Sequence, residues 1–145
     1  MAALAINHSK SREYLAAEQG FGGGDKAFGG QENEPVIDLV HLSRQTLSDQ
    51  ALEVELLDLF ERQSARIVAQ LMEPGCGDAK IRGDLAHTLR GSALAIGAGR
   101  VARTAQVYEA SCAAPPRGAP AGAALAALVA AVAEARATIA QLLGP

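Results

Sequence analysis

The segment from Ala121 to Leu143 narrows the choice of fold more than any other stretch of this sequence. It is almost wholly Ala, Leu, Val and Ile. Its larger side chains, Leu125, Leu128, Val129, Val132, Ile139, Leu142 and Leu143, recur at helical spacing and not in the strict alternation of a strand. Glu134 and Arg136 interrupt the run, so a buried core helix is expected and a membrane span is not. Composition agrees. Hydrophobic residues make up 49% of the chain, aromatics only 3%, and there is no Trp. A core of small aliphatic side chains suits close-packed helices better than a sandwich or barrel. At 145 residues, one domain with a tail is expected.

Residues 1–34 form that tail. Ser11 to Gln19 has the pattern of a turn or two of helix. The glycines at Gly20, Gly22, Gly23, Gly24, Gly29 and Gly30 favour a flexible segment, since no GxxxxGK[ST] pattern or preceding strand marks a phosphate loop. Order is expected from Pro35, with Ile37, Val40 and Leu42 packing as a short helix or extended arm. Ser48-Asp49 supplies N-cap chemistry for a helix to about Met72, with Leu52, Leu56, Leu59, Phe60, Ile67 and Leu71 on one face. Gln63 falls in that stripe and reads as a rim residue in contact with water, with Arg62 and Arg66 at its edge. After Pro74-Gly75-Cys76-Gly77, Asp78 caps a central helix to about Ile96, and Gly97-Ala98-Gly99 ends it. A fourth helix, about Arg100 to Ala113, buries Val101, Ala105, Tyr108 and Cys112. Pro115 to Pro120 breaks the chain before the last. Short connections between helices of this length predict an all-α, antiparallel up-down four-helix bundle over residues 35–145.

The central helix carries the functional lead. At about 100° per residue, Ile81, Leu85, Leu89, Ser92 and Ile96 share one quarter of the wheel. His87 lies nearly opposite, with Arg90 and Leu94 beside it. Gly83 and Gly91 are its axial neighbours at i−4 and i+4. A glycine inside a helix costs about 0.5–1 kcal/mol relative to alanine, so two of them around an outward imidazole imply that something large approaches the ring. Neutral imidazole is a nucleophile, and a cation one turn away suits an anion built on it. The combination fits acceptance of a phosphoryl group.

The run Ala86-His87-Thr88-Leu89-Arg90-Gly91-Ser92-Ala93, followed by Ile96-Gly97-Ala98, resembles the signature of histidine-containing phosphotransfer (HPt) domains, approximately A-H-x-L-K-G-[SA]-[SA] with G-A a short distance on. The resemblance covers about residues 35–143 and takes in Tyr108-Glu109 on the next helix. It implies a four-helix bundle with a short additional N-terminal helix, acting as a phosphorelay carrier. His87 would take a phosphoryl group from a receiver-domain aspartate, on a hybrid histidine kinase or response regulator, and pass it to another. Arg90 stands where the family usually has lysine and would pair with the phosphoryl oxygens through a forked donor. Gly91 would let the receiver come close. Gly83, Leu94, Leu57 and Arg62 would belong to the partner interface. Glu109 occupies the place of a glutamine that some members set against the imidazole. A carboxylate there would orient the ring and disfavour an adjacent phosphate. The resemblance implies no cofactor of the chain's own, with Mg²⁺ held by the receiver.

Other functions find less support. A net charge of −3 and a pI near 5.6 leave no basic field for nucleic acid or anionic lipid. His8, His41 and His87 are scattered, without metal-ligand spacing. Cys76 and Cys112 lack a CxxC arrangement and read as reduced thiols. No nucleotide-binding loop marks a kinase, so a carrier without enzymatic activity of its own is expected. No secretory pattern is evident, and a cytoplasmic monomer is expected. The competing reading is a helical module that docks receiver or kinase domains without carrying phosphate.

Overall fold

The computed structural model describes residues 34–113 and 121–144, and among them it contains five helices and no strand. They are α1 (Leu39–Gln45), α2 (Gln50–Met72), α3 (Ala79–Ile96), α4 (Gly99–Ala113) and α5 (Ala121–Leu143). The predicted tail up to residue 33, with its Ser11–Gln19 turn, and the Pro115–Pro120 break lie outside the described residues.

Local chemistry sets the helix ends. The first N–H groups of a helix lack partners inside it. Aspartates supply them: Asp38 accepts from the His41 amide at 3.0 Å, Asp49 from Leu52 at 3.2 Å and Asp78 from Ile81 at 3.0 Å. At the far end of α3, Gly97 turns left-handed at φ 78, and the Ala98 amide donates back to the Ala93 carbonyl at 2.8 Å. The same glycine seats α1, because the Asp38 amide donates to its carbonyl at 2.9 Å. A Cβ on residue 97 would lie 2.8 Å from the Asp38 carbonyl oxygen. Gly97→Ala should therefore cost the left-handed penalty of about 1–2 kcal/mol and loosen α1 as well. Urea unfolding followed by circular dichroism measures it, and an unchanged midpoint would contradict this account.

In the core, α2 contacts α3 and α5, α4 contacts the same two helices, and α1 lies on α3. Leu57, Phe60, Ile67 and Leu71 meet Ala86, Leu89, Ala93 and Ile96, with Val101, Ala105 and Tyr108 from α4 and Leu128, Val132, Ile139 and Leu142 from α5. Two expected stripes are displaced. Ile81, Leu52 and Leu59 are 51%, 39% and 54% exposed, while Ala86 and Ala93 are fully buried. Each helix faces two neighbours, so the core direction bisects them, and alanine lets the backbones approach where a larger side chain would hold them apart. Cys112 is half-buried, not buried as expected. Thr46 and Glu53 are buried polar partners that periodicity did not predict, the hydroxyl donating to Oε1 at 3.1 Å. Gly122–Leu143 is long and apolar enough, by length and composition alone, to cross a membrane, yet Leu128, Val132, Ala135, Ile139 and Leu142 line the shared core.

Glu34, read from sequence as the end of the tail, is held on the body of the fold. Arg103 donates from Nη1 to its Oε1 at 2.9 Å and from Nη2 to its Oε2. The Arg103 hydrogen bond, aided by the positive charges of Arg103 and Arg100 and opposed by partial burial, holds the Glu34 carboxyl below the usual range. A folded-state pKa below the unfolded one gives stability that is present above the unfolded value and lost as pH falls through the folded value. Wild type should therefore melt above Glu34→Gln at about pH 7, with the gap closing at about pH 3. Melting curves at the two pH values test this, and a gap that widens in acid would overturn it.

Candidate functional site

On α3 the core side is taken by Ala86, Leu89 and Ala93, so His87 emerges on the solvent side. Its side chain is 69% exposed, and Nδ1 lies 3.0 Å from Oε1 of Glu109 on α4. An ionised carboxylate only accepts, so this contact assigns the ring proton to Nδ1 and leaves the lone pair on Nε2. The pair lies near the surface, where such contacts contribute at most about 1 kcal/mol; its effect is to aim the ring. Glu109 is placed for this by Tyr108, buried at 2%, which fixes the rotation of α4. Burial, and next the Cys112 side chain one turn on, push the Tyr108 phenol above its ordinary range.

Arg90 is half-buried one turn beyond His87, with no hydrogen-bond or ion-pair partner among the described residues. A Cβ built on Gly91 meets nothing within 4 Å. On Gly83 it meets only the Cβ of Cys112, at an ordinary 3.7 Å. Neither glycine is therefore demanded by internal packing, although each lowers helix stability. Beside the imidazole, between α3 and α4, an open hollow of about 350 Å³ is lined by Lys80, Gly83, Asp84, Glu109 and Cys112 among others.

The remaining predicted residues divide. Leu94 is 52% exposed two turns below His87, and its carbonyl accepts from Nε2 of His41 at 2.8 Å, which ties α1 to this face. Arg62 is exposed on α2 and paired with Asp58 at 2.8 Å. Leu57 must be corrected: it is fully buried in the core, because it lies on the same side of α2 as Phe60 and Ser64, and it cannot meet a partner. Gln63, read as a rim residue facing water, instead accepts from the Ser92 hydroxyl at 2.5 Å and joins α2 to α3. The available signal was one polar residue in each of two apolar stripes. Among the described residues, no group of three or more His, Cys, Asp or Glu side chains is placed to hold a metal ion.

Among the described residues, an all-helical body displaying an oriented, solvent-facing imidazole between two glycines has the form of a helical histidine carrier. Residues 55–142 match the Hpt domain family, and the chain belongs to that family. Hpt domains are phosphotransfer carriers in phosphorelays, not kinases, and they interact with receiver domains. The fold is similar to the crystal structure of a rice protein provisionally assigned as a histidine-containing phosphotransfer protein. The TM-score is 0.62 at 19% identity, over 94% of each chain. No curated protein matches the chain by sequence.

Proposed function

We propose that His87 is the phosphoryl-accepting residue of this carrier. The supporting observation is the imidazole itself: anchored through Nδ1 by Glu109, exposed, and bordered by glycines that packing among the described residues does not require. Nε2 attacks the phosphorus of a receiver's aspartyl phosphate. The N–P bond forms as the acyl phosphate P–O bond breaks, and the aspartate leaves as a carboxylate. Passing the group to a second receiver reverses these steps. Arg90 pairs with the phosphoryl oxygens, which breaks no hydrogen bond or ion pair to another described residue. Gly83 and Gly91 admit the receiver, and Leu94 and Arg62 extend the contact. The receiver supplies Mg²⁺ and the acidic pocket; this chain needs no cofactor. The reading includes an up-down antiparallel four-helix bundle with α1 added, residues 1–33 outside it, and a cytoplasmic monomer that binds neither nucleic acid nor membrane.

Incubation with a radiolabelled phosphoreceiver tests the proposal. Acid-labile, base-stable label should move to this chain, and an unlabelled wild-type chain would refute it. Glu109 is a positioning residue on the ring nitrogen remote from the attack. Glu109→Ala should slow transfer about tenfold or more. Glu109→Gln should recover part of that rate, because its amide oxygen still accepts from Nδ1–H. Equal rates in the two variants would remove Glu109 from the mechanism.

A further inference from the structure

The hollow beside the imidazole carries charge that the orientation of His87 does not use. Asp84 from α3 and Glu109 from α4 both line it, together with the exposed Lys80. Lys80 and Asp84 are four apart on one helix, the spacing of an ion pair. Even so, neither side chain has a hydrogen-bond or ion-pair partner among the described residues. Glu109 uses Oε1 on Nδ1 of His87, which leaves Oε2 without a partner among the same residues. Gly83 completes this wall. A Cβ there would meet the Cβ of Cys112 at an ordinary 3.7 Å, so packing among the described residues does not require the glycine. Helix propensity opposes it. A longer side chain at residue 83 would narrow the hollow, because Gly83 and Cys112 both line it.

For a carrier of phosphoryl groups this arrangement is unfavourable in the free chain. Glu109 aims the ring, but its charge, and that of Asp84 one turn before His87, oppose a phosphoryl group on Nε2. Arg90, one turn beyond, offsets part of that charge. Lys80 is not paired with Asp84 and leaves the hollow without a seated cation.

We propose that the hollow is a docking subsite for one lysine or arginine side chain of the receiver, held between the Asp84 carboxylate and Oε2 of Glu109. The inference rests on the carrier reading and names the chemistry that its partner must bring. Gly83 gives the incoming stem its room, and the charged head lies one turn from the reacting nitrogen. A receiver with a neutral or acidic side chain at that point would cover two carboxylates without pairing them, which disfavours it. The cation also departs with its receiver. Phosphohistidine is then favoured inside the complex and disfavoured outside it, which suits a carrier that hands the group on instead of storing it.

The test uses the full chain and a receiver domain that binds it, with affinity measured by titration calorimetry. Asp84→Lys should weaken binding about tenfold or more. The loss should persist in about 1 M salt, where the screening length is about 3 Å and only charges in contact still interact. Gly83→Gln, which fills the hollow and keeps both carboxylates, should weaken binding to a similar extent, with helix content by circular dichroism unchanged. The lysines and arginines of the receiver are then replaced by glutamate one at a time. One of these replacements should weaken binding to the wild type and restore binding to Asp84→Lys. Unchanged affinity in Asp84→Lys or Gly83→Gln, a loss erased by salt, or no receiver position that restores binding would each overturn the subsite. So would a wild-type chain that binds no receiver domain. A receiver that shows the expected pattern of binding yet passes no label to the wild type refutes the carrier reading and leaves the subsite standing.

Discussion

His87→Gln should abolish transfer of label from a phosphoreceiver while leaving the helices and melting temperature close to those of the wild type. Both halves have a physical basis. The side chain is 69% exposed and contributes to no core contact, so little folding free energy is lost with it. Glutamine keeps a polar group of similar reach but has no ring nitrogen to form the N–P bond. His41, the other described histidine, donates from Nε2 to the Leu94 carbonyl, which leaves its lone pair on Nδ1 and makes His41→Gln the control for a second acceptor. Equal labelling of His87→Gln and wild type would move the chemistry elsewhere on the chain.

Substitution at Gly91 should separate stability from function. Among the described residues the space above this glycine is open, with nothing inside 4 Å of a Cβ placed there. Gly91→Ala should therefore raise stability by about 0.5–1 kcal/mol, the usual helix-propensity difference. A larger residue also finds room in the free chain, so Gly91→Gln should fold normally. It would stand one turn from the imidazole, in the path of an approaching receiver, and transfer should fall about a hundredfold. Denaturant unfolding and initial transfer rates measured on the same preparations give the comparison. A Gly91→Gln chain that transfers at the wild-type rate would show that no partner surface comes over this face.

Capping and breaking residues were legible because their chemistry is local. Asp49 and Asp78 start α2 and α3 and Gly97 ends α3, each through groups within five residues. The motif around His87 was legible for the same reason, since one helix carries the imidazole, the cation and both glycines. The choice of core face was less so. Large apolar side chains pointed to Ile81, Leu52 and Leu59, but the packed interior took Ala86, Ala93 and Leu57, because each helix bisects two neighbours and small side chains permit the closest approach. The error at Leu57 follows directly: a residue assigned to the partner surface faces the core once α2 is rotated into place.

From the sequence alone, then, came the helices, their ends and the display of His87 opposite an apolar stripe, all governed by periods of a few residues. Tertiary structure decided what the imidazole meets. Glu109 joins it from 22 residues away, Ser92 finds Gln63 across 29, and Arg103 reaches Glu34 across 69. Such partners depend on how far each helix turns when it packs, and that rotation is set by the volumes of all the side chains in the shared core.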